Sequence, residues 1–393
     1  MSKDVFILGG KRTAMGEYVG ALKDISAIEL GAIAAKGALD ATGVAPEEID
    51  HTVIGNALQT SGDAIYGARH VALKAGVPFE RPALTVNRLC GSGIQSIISG
   101  AQMIQLGEAQ TALVGGMESM SQAPHVIRGA RSGFPLGGGK LEDSLMVALL
   151  DTYCNTPMAG TAENLARKFE ITRAEQDEYA LRSQQEAKRA QDAGFFAAEI
   201  VPVEIRSRKS TVVFDADDHL RPETTREGLA RLRPAFAQDG FVTAGNASGI
   251  VDGAAALIIC GEDYVKRRDA KPMGRIVSWA YAGVEPEIMG IGPVPTTRQA
   301  LDRAGLKLSD IDLVEVNEAF AAQYLAVEKE LGSDRCRTNV NGGAIALGHP
   351  LGATGTRLVI TLLHELQRRR VRYGLATACI GGGQGIAMIV ERI

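Results

Sequence analysis

Apolar positions along this chain fall into two recurring patterns, which alternate. Short continuous runs read as strands, and runs spaced three and four apart read as one face of a helix. Val5 to Leu8 is a strand-like run that ends at Gly9-Gly10. A helical pattern follows from about Ser26 to Ala41, with Ser26 as N-cap, Glu29 three residues on, and Gly43 as the stop. Pro46 to Asp50 reads as a helical turn and Thr52 to Gly55 as a strand. Val86 leads through the turn Asn87-Arg88-Leu89-Cys90-Gly91-Ser92-Gly93 into a helical run ending at Leu106. Ala109 to Gly116 is a buried strand closing on glycines. Strand and helix in alternation predict an α/β domain with a largely parallel sheet.

The pattern weakens from about Ser121 to Val242. The triplet Gly137-Gly138-Gly139, charged helices over Thr161–Phe169 and Thr172–Ala193, and short β-like pieces at Ile200–Ile205 and Thr211–Phe214 fill this stretch. It reads as a large insertion over the sheet domain, of the kind that carries substrate or subunit contacts. Its charged helices are expected to face solvent or a neighbouring subunit. Core-like pattern returns at Thr243 to Gly249 and the apolar run Ala254 to Ile259. A second strand–helix series then starts at Arg275-Ile276-Val277.

This second series repeats the first. Ala38-Leu39-Asp40-Ala41-Thr42-Gly43-Val44 returns as Ala300-Leu301-Asp302-Arg303-Ala304-Gly305-Leu306, and Ile49-Asp50 returns as Ile311-Asp312 at the same offset. Val86-Asn87 finds a partner in Val340-Asn341, and Leu113 to Gly116 finds one near Ala376 to Gly383. The chain is therefore an internal duplication, two similar α/β halves with an insertion in the first. The expected organisation is a first half over 1–120 plus 243–270, an inserted loop domain over 121–242, and a second half over 271–393. Pseudo-symmetry would bring corresponding loops together in a crevice at strand carboxyl ends.

Composition narrows the class. At 393 residues the chain exceeds one ordinary core. A net charge of −4 offers no global field for nucleic acid or an acidic membrane. The basic cluster Arg368-Arg369-Arg370 with Arg372 suits a solvated helix end. The five cysteines are odd in number, widely spaced and form no CxxC pair, against a disulfide framework or a structural zinc site and in favour of a reducing compartment. Val5–Leu8 is too short for a signal-peptide core, and no apolar run approaches a membrane span, so the expectation is a soluble cytoplasmic protein with no membrane partner.

Four stretches stand out chemically. Cys90 sits at a helix start, where first-turn N–H groups and the dipole favour a thiolate and lower the thiol pKa; as a plain core residue it would be a small buried hydrophobe. Gly91 and Gly93 would let a substrate carbonyl approach the backbone. His349, between Gly348 and Pro350 in a loop of small residues, can accept a thiol proton; a loop histidine bonded to backbone is the plainer reading, and the glycine-dense setting favours function. Cys379 opens Cys379-Ile380-Gly381-Gly382-Gly383-Gln384-Gly385, as an acid/base thiol or a core thiol. Asn317 follows Leu313 to Val316, as an oxyanion donor or a helix-capping turn residue. The glycine triplet lacks the spacing of a dinucleotide fingerprint.

Together these stretches resemble the thiolase family over essentially the whole chain. Asn87 to Gly93, Asn317-Glu318-Ala319-Phe320, Gly342 to Pro350 and Cys379 to Gly385 occur in that family's order. The resemblance implies a layered α/β/α/β/α core and an acyltransferase that forms or cleaves 3-ketoacyl-CoA through an acylated Cys90. It implies that His349 activates Cys90 and that Cys379 moves the proton at the α-carbon. One oxyanion hole would use His349 with a water held by Asn317, the other the backbone N–H groups of Cys90 and Gly381. It implies no metal or redox cofactor, with coenzyme A as substrate running past Ser248 and Phe320 and with Arg221 near its nucleotide end. It also implies a homotetramer. One departure is notable: Pro157-Met158 lines the acyl pocket where many biosynthetic relatives have His-Met, which puts an acetoacetyl preference in doubt. Two rival readings are a ketoacyl-synthase-type condensing enzyme, against which the second cysteine argues, and a non-catalytic acyl-CoA-binding relative, against which the four intact stretches argue.

Overall fold

The computed structural model describes residues 4–206 and 210–393. Among these residues, nine strands make one hydrogen-bonded path. In chain order the elements that matter are β1 (Val5–Thr13), α1 (Ala27–Thr42), β2 (His51–Gly55), β3 (Ala83–Val86), α2 (Ser92–Leu106) and β4 (Thr111–Glu118). Inserted next are α3 (Met158–Lys168) and α4 (Arg173–Asp192). The chain then continues through β5 (Val251–Gly261), β6 (Gly274–Gly283), α5 (Pro293–Ala304), β7 (Leu313–Val316), α6 (Ala321–Leu331), α7 (Leu351–Arg369), β8 (Tyr373–Ile380) and β9 (Gln384–Arg392). The strand order is β7-β8-β9-β6-β1-β5-β4-β2-β3, which reads the same outward from the β6–β1 seam in both directions. An isolated parallel bridge from Val314 to Thr338 stands where the second half would repeat β3.

Local signals explain the element ends. The Ser26 hydroxyl accepts the Glu29 N–H at 3.2 Å, and Gly43 closes α1 in the left-handed region at φ 65°. Thr172 and Glu175 form a reciprocal capping box at the start of α4. The expectation of a largely parallel sheet is not met. Pairing is parallel at β2–β3, β2–β4 and β7–β8 and antiparallel along the rest of the path. The cause is local: the three-glycine turn after Ile380 folds β9 straight back on β8, and β5 enters between β1 and β4 from the inserted segment.

The helices lie in three layers. α1 covers the first half's outer face, with Ile28, Leu30 and Leu39 in its core, while α5 and α6 cover the second half's. α2 and α7 are buried between the halves, where Ile94, Ile97 and Ile98 meet Leu358, Leu362 and Leu366. This is the α/β/α/β/α order. The two central helices cross at small residues near their N-termini: a Cβ on Gly93 would overlap the Thr356 backbone nitrogen, and one on Gly355 would meet the Ile94 nitrogen at 2.5 Å. That crossing brings the residue before each helix toward one place.

The inserted α4 is not simply solvated. It buries Tyr179, Ser183 and Ala187, and the Tyr179 and Ser183 hydroxyls reach Glu318 at 2.7 and 2.6 Å. The loop after Phe214 is tied to β1, where buried Arg12 pairs with Asp217 at 2.7 Å and with Glu199 at 2.7 Å. The basic cluster behaves as a helix end, with Arg370 in the left-handed region at φ 56°. Among the described residues, no helix is long and apolar enough to cross a membrane.

Candidate active site

Cys90 lies in a single 3₁₀ turn, Leu89–Gly91, that runs directly into α2. The turn is held from several sides. Leu89 adopts a left-handed φ of 46°, unusual for a non-glycine residue, and the Asn87 carboxamide oxygen accepts its N–H at 2.9 Å. Arg88 reaches Gln384 at the start of β9 at 3.0 Å, which links the turn to the other half. The glycines beside Cys90 are required by packing. A Cβ on Gly91 would press on Ile380 and Ile386, and one on Gly93 would strike α7.

The thiol is not acidified in the resting site, contrary to the expectation from a helix start. Burial pushes Cys90 up to about 11, although the Gly381 N–H and its own N–H both bond the sulfur and pull the other way. Desolvation of a thiolate outweighs two backbone dipoles here. The resting nucleophile is a neutral thiol and needs a base.

His349 supplies one. Gly348, at φ 89°, packs against Val251, and the His349 N–H bonds the Gly249 carbonyl at 2.9 Å. His349 precedes α7 by two residues, as Cys90 precedes α2. Its Nδ1 lies 2.7 Å from Thr354 Oγ1, whose own proton goes to the Pro350 carbonyl at 3.0 Å. Thr354 therefore accepts from Nδ1–H, a tautomer assigned from this network, and the Nε2 lone pair faces the site. Burial and then the Arg357 guanidinium push His349 down to about 3, so the ring is neutral. Asn317, fully buried at the end of β7, points Nδ2 at His349 Nε2 across 3.3 Å. Among the described residues, its Oδ1 has no hydrogen-bond partner.

Cys379 is the penultimate residue of β8 and fully buried. Burial and the neighbouring Cys90 raise its thiol well above the ordinary range. Gly382 and Gly383 take φ of 81° and 80° in the turn that follows, which turns the Gly381 N–H toward the Cys90 sulfur.

His349 opens onto an apolar cavity of about 190 Å³, with Met158, Pro157, Ser248 and Phe320 also in its wall. Cys90 packs against the cluster of Met120, Leu145 and Leu351, of which Met120 and Leu351 line the cavity. Cys379 forms a buried cluster with Met289 and Ala319, and the wall residues Met158 and Phe320 pack against that cluster. Ser248 and Phe320 are held together, since Ala247 bridges Phe320 and the Ser248 N–H bonds the Ala319 carbonyl at 3.0 Å. Arg221 stands apart from them. It borders a wider cavity of about 580 Å³ with Thr225 and Ala244, and its guanidinium is paired with Glu17 at 2.6 Å. Among the described residues, no cluster of three or more His, Cys, Asp or Glu has metal-binding geometry.

Two contributors are not marked by the sequence pattern, Thr354 and Glu118. Thr354 sits one helical turn beyond His349, inside a run of small residues that gives no sign of it. Glu118 ends β4 as Cys379 nears the end of β8, so a residue-by-residue alignment of the two halves is the signal that points to it.

Two halves of one duplicated α/β fold thus bring together an imidazole in the cavity wall and two neighbouring thiols packed behind that wall, the equipment of a cysteine-dependent acyltransferase. Residues 5–263 match the family described as thiolase, N-terminal domain, and residues 270–392 match thiolase, C-terminal domain. The chain belongs to the thiolase family. It is 56% identical over 390 residues to the mitochondrial 3-ketoacyl-CoA thiolase of Homo sapiens, covering 99% of this chain and 98% of the relative. It is 49% identical over 394 residues to the beta-ketothiolase BktB of Cupriavidus necator, covering all of both chains. The solved structure of human mitochondrial 3-ketoacyl-CoA thiolase in complex with CoA superposes with a TM-score of 0.97 at 56% identity, covering 100% of this chain and 98% of that one.

Proposed function

We propose that the enzyme cleaves 3-ketoacyl-CoA with free CoA, and runs the reverse condensation, through an acyl-Cys90 intermediate. The observation that carries this reading is the pair of neighbouring thiols, Cys90 and Cys379, packed behind the wall of the apolar cavity that His349 lines, with the Gly381 N–H on the Cys90 sulfur. In thiolysis, His349 Nε2 takes the Cys90 proton and the sulfur attacks the 3-keto carbon. The C2–C3 bond then breaks and its electron pair leaves on the acetyl-CoA enolate. Cys379, kept as a thiol by its high pKa, protonates that carbanion. A free CoA thiol then gives its proton to the Cys379 thiolate and attacks the acyl-Cys90 thioester, releasing the shortened acyl-CoA, while protonated His349 returns its proton to the departing Cys90 sulfur. The order is ping-pong.

Negative charge builds on oxygen twice. We assign one oxyanion to the N–H groups of Cys90 and Gly381, and the other to His349 with a water on Asn317. The acyl chain is assigned to the cavity at Pro157 and Met158. Pro157 offers no donor there, which favours aliphatic 3-ketoacyl chains over the short polar acetoacetyl group. Coenzyme A is assigned to Ser248 and Phe320, with its nucleotide end toward Arg221, and it is the substrate with no separate cofactor.

We also assign a homotetramer. The unpaired edge at β3 carries exposed Phe79, Leu84 and Leu89, and the hairpin of His125–Ile127 with Leu141–Asp143 exposes Ile127, Leu136 and Leu141. Apolar edges of this kind are normally covered.

The test is thiolysis of a medium-chain 3-ketoacyl-CoA, with mass spectrometry of the trapped acyl-enzyme. The expected result is turnover with the label on Cys90. Absence of both overturns the reading.

A further inference from the structure

Glu118 is fully buried at the end of β4 and collects four hydrogen-bond donors. Three are backbone N–H groups: Ala57 at 3.0 Å, Leu58 at 2.9 Å and Gly352 at 2.8 Å. The fourth is the Asn56 carboxamide at 2.8 Å. Burial pushes the carboxyl up to about 7, and the N–H groups of Leu58, Gly352 and Ala57 pull it back toward the ionised form. A buried carboxylate with four donors is a strong, directional anchor.

What it anchors is specific. Gly352 is in the first turn of α7, three residues after His349, so a side chain of the first half caps the helix that carries the second half's base. The 56–58 loop is bonded to the turn that carries the nucleophile: the Asn87 carboxamide donates to the Ala57 carbonyl at 3.1 Å, and Asn87 also sets the strained turn at Leu89. One carboxyl group therefore ties the Cys90 turn to the start of the His349 helix.

The duplication gives the same position a second meaning. Gly55 pairs with Gly116 and Val316 with Thr377, which makes Asn56 the counterpart of Asn317 and Glu118 the counterpart of Cys379. The antiparallel neighbours agree, with Glu118 opposite Gly253 and Cys379 opposite Gly385. Cys379 sits against the other half's nucleophile turn, and Glu118 sits against the other half's base helix.

We propose that Glu118 is a positioning residue for the thiolase reaction, setting the spacing between the Cys90 turn and His349 from the pseudo-symmetric counterpart of the Cys379 position. The inference rests on the proposed roles of Cys90 and His349.

The experiment compares wild type with Glu118→Gln, which keeps the volume but turns an NH₂ toward N–H donors. Turnover is expected to fall about 100-fold, the size of the effect of a misplaced reacting group. KM for 3-ketoacyl-CoA should stay within about threefold, because the cavity walls are untouched. Glu118→Asp, which keeps the charge and loses reach, should recover part of the turnover rate. A Glu118→Gln enzyme with wild-type turnover, or one that only melts earlier while each folded molecule turns over normally, overturns the proposal. If Glu118→Gln does not fold, Asn56→Ala decides: it removes one donor, and its turnover should drop about tenfold at constant KM, with an unchanged rate overturning the proposal. Wild type assayed in parallel separates the two ideas, since absent wild-type thiolysis refutes the proposed function and an active wild type with an unaffected variant refutes only this inference.

Discussion

Asn317 Nδ2 stands 3.3 Å from His349 Nε2, and the two residues come from different loops of the second half, one ending β7 and one preceding α7. Replacing Asn317 with alanine removes a buried donor without opening the Cys90 turn. Turnover is expected to fall by two to three orders of magnitude, about 3 kcal/mol, with acyl-enzyme formation and KM measured separately. A loss confined to KM would place Asn317 in binding only.

The neutral His349 sets a pH dependence of stability. Its folded pKa of about 3 lies below the ordinary 6.5, so the unfolded chain binds a proton that the folded chain refuses. The stability is present above pH 6.5 and is lost as pH falls toward 3, at about 1.4 kcal/mol per unit. Urea titrations between pH 7 and 5 should show this slope in wild type and a shallower one in His349→Gln. Equal slopes would mean that the ring is charged in the fold.

Cys379→Ser should leave the first half-reaction intact. Transfer of an acetyl group from acetyl-CoA to Cys90 is expected near the wild-type rate. Condensation should slow by at least about 100-fold, because a serine hydroxyl is a far weaker proton carrier at the α-carbon. Loss of acylation itself would exchange the roles assigned to the two thiols.

Pro157→His tests the acyl cavity. A polar ring beside Met120, Leu149 and Met158 in that wall should favour acetoacetyl-CoA over a six- or eight-carbon 3-ketoacyl-CoA. The preference between the two substrates, read as a ratio of specificity constants, is expected to shift about tenfold, within the range one pocket contact commands. An unchanged ratio removes Pro157 from the acyl site.

Gly116→Ala tests the seam between the halves. Any Cβ there would overlap the Gly352 carbonyl, backbone against backbone, so neither side has a flexible end to give way. The expected loss is about 3 kcal/mol in a chemical denaturation curve, the upper end for overpacking. A loss below about 1 kcal/mol, the lower end for overpacking, would mean that α7 can shift away from β4, and activity would then report the displacement.

Much of the fold is legible in the sequence because local chemistry enforces it. Ser26 with Gly43 brackets α1, the Thr172 and Glu175 pair starts α4, and the repeated Ala-Leu-Asp segment announces the duplication. The sheet's direction is less legible. Runs such as Leu313–Val316, apolar but for Glu315, and Ile386–Val390 look alike whether their neighbours run parallel or antiparallel. The helix expected from Thr161 starts at Met158, because Pro157, with its fixed φ and no N–H to satisfy, suits the position just ahead of a first turn.

The sequence by itself determined the reactive inventory and its frame. Cys90, Asn317, His349 and Cys379 all stand in tightly specified turns or at strand ends, and the duplication assigned them to two facing halves. The tertiary structure decided how reactive they are. A thiol at a helix start reads as acidic from sequence, yet desolvation leaves Cys90 neutral, and the same burial leaves His349 an unprotonated base. It also decided what Glu118 holds, since its partners are 60 to 234 positions away in the chain. Hydrogen bonds at that separation, and the dielectric around a buried group, depend on how the two halves close over α2 and α7, and no local pattern carries that information.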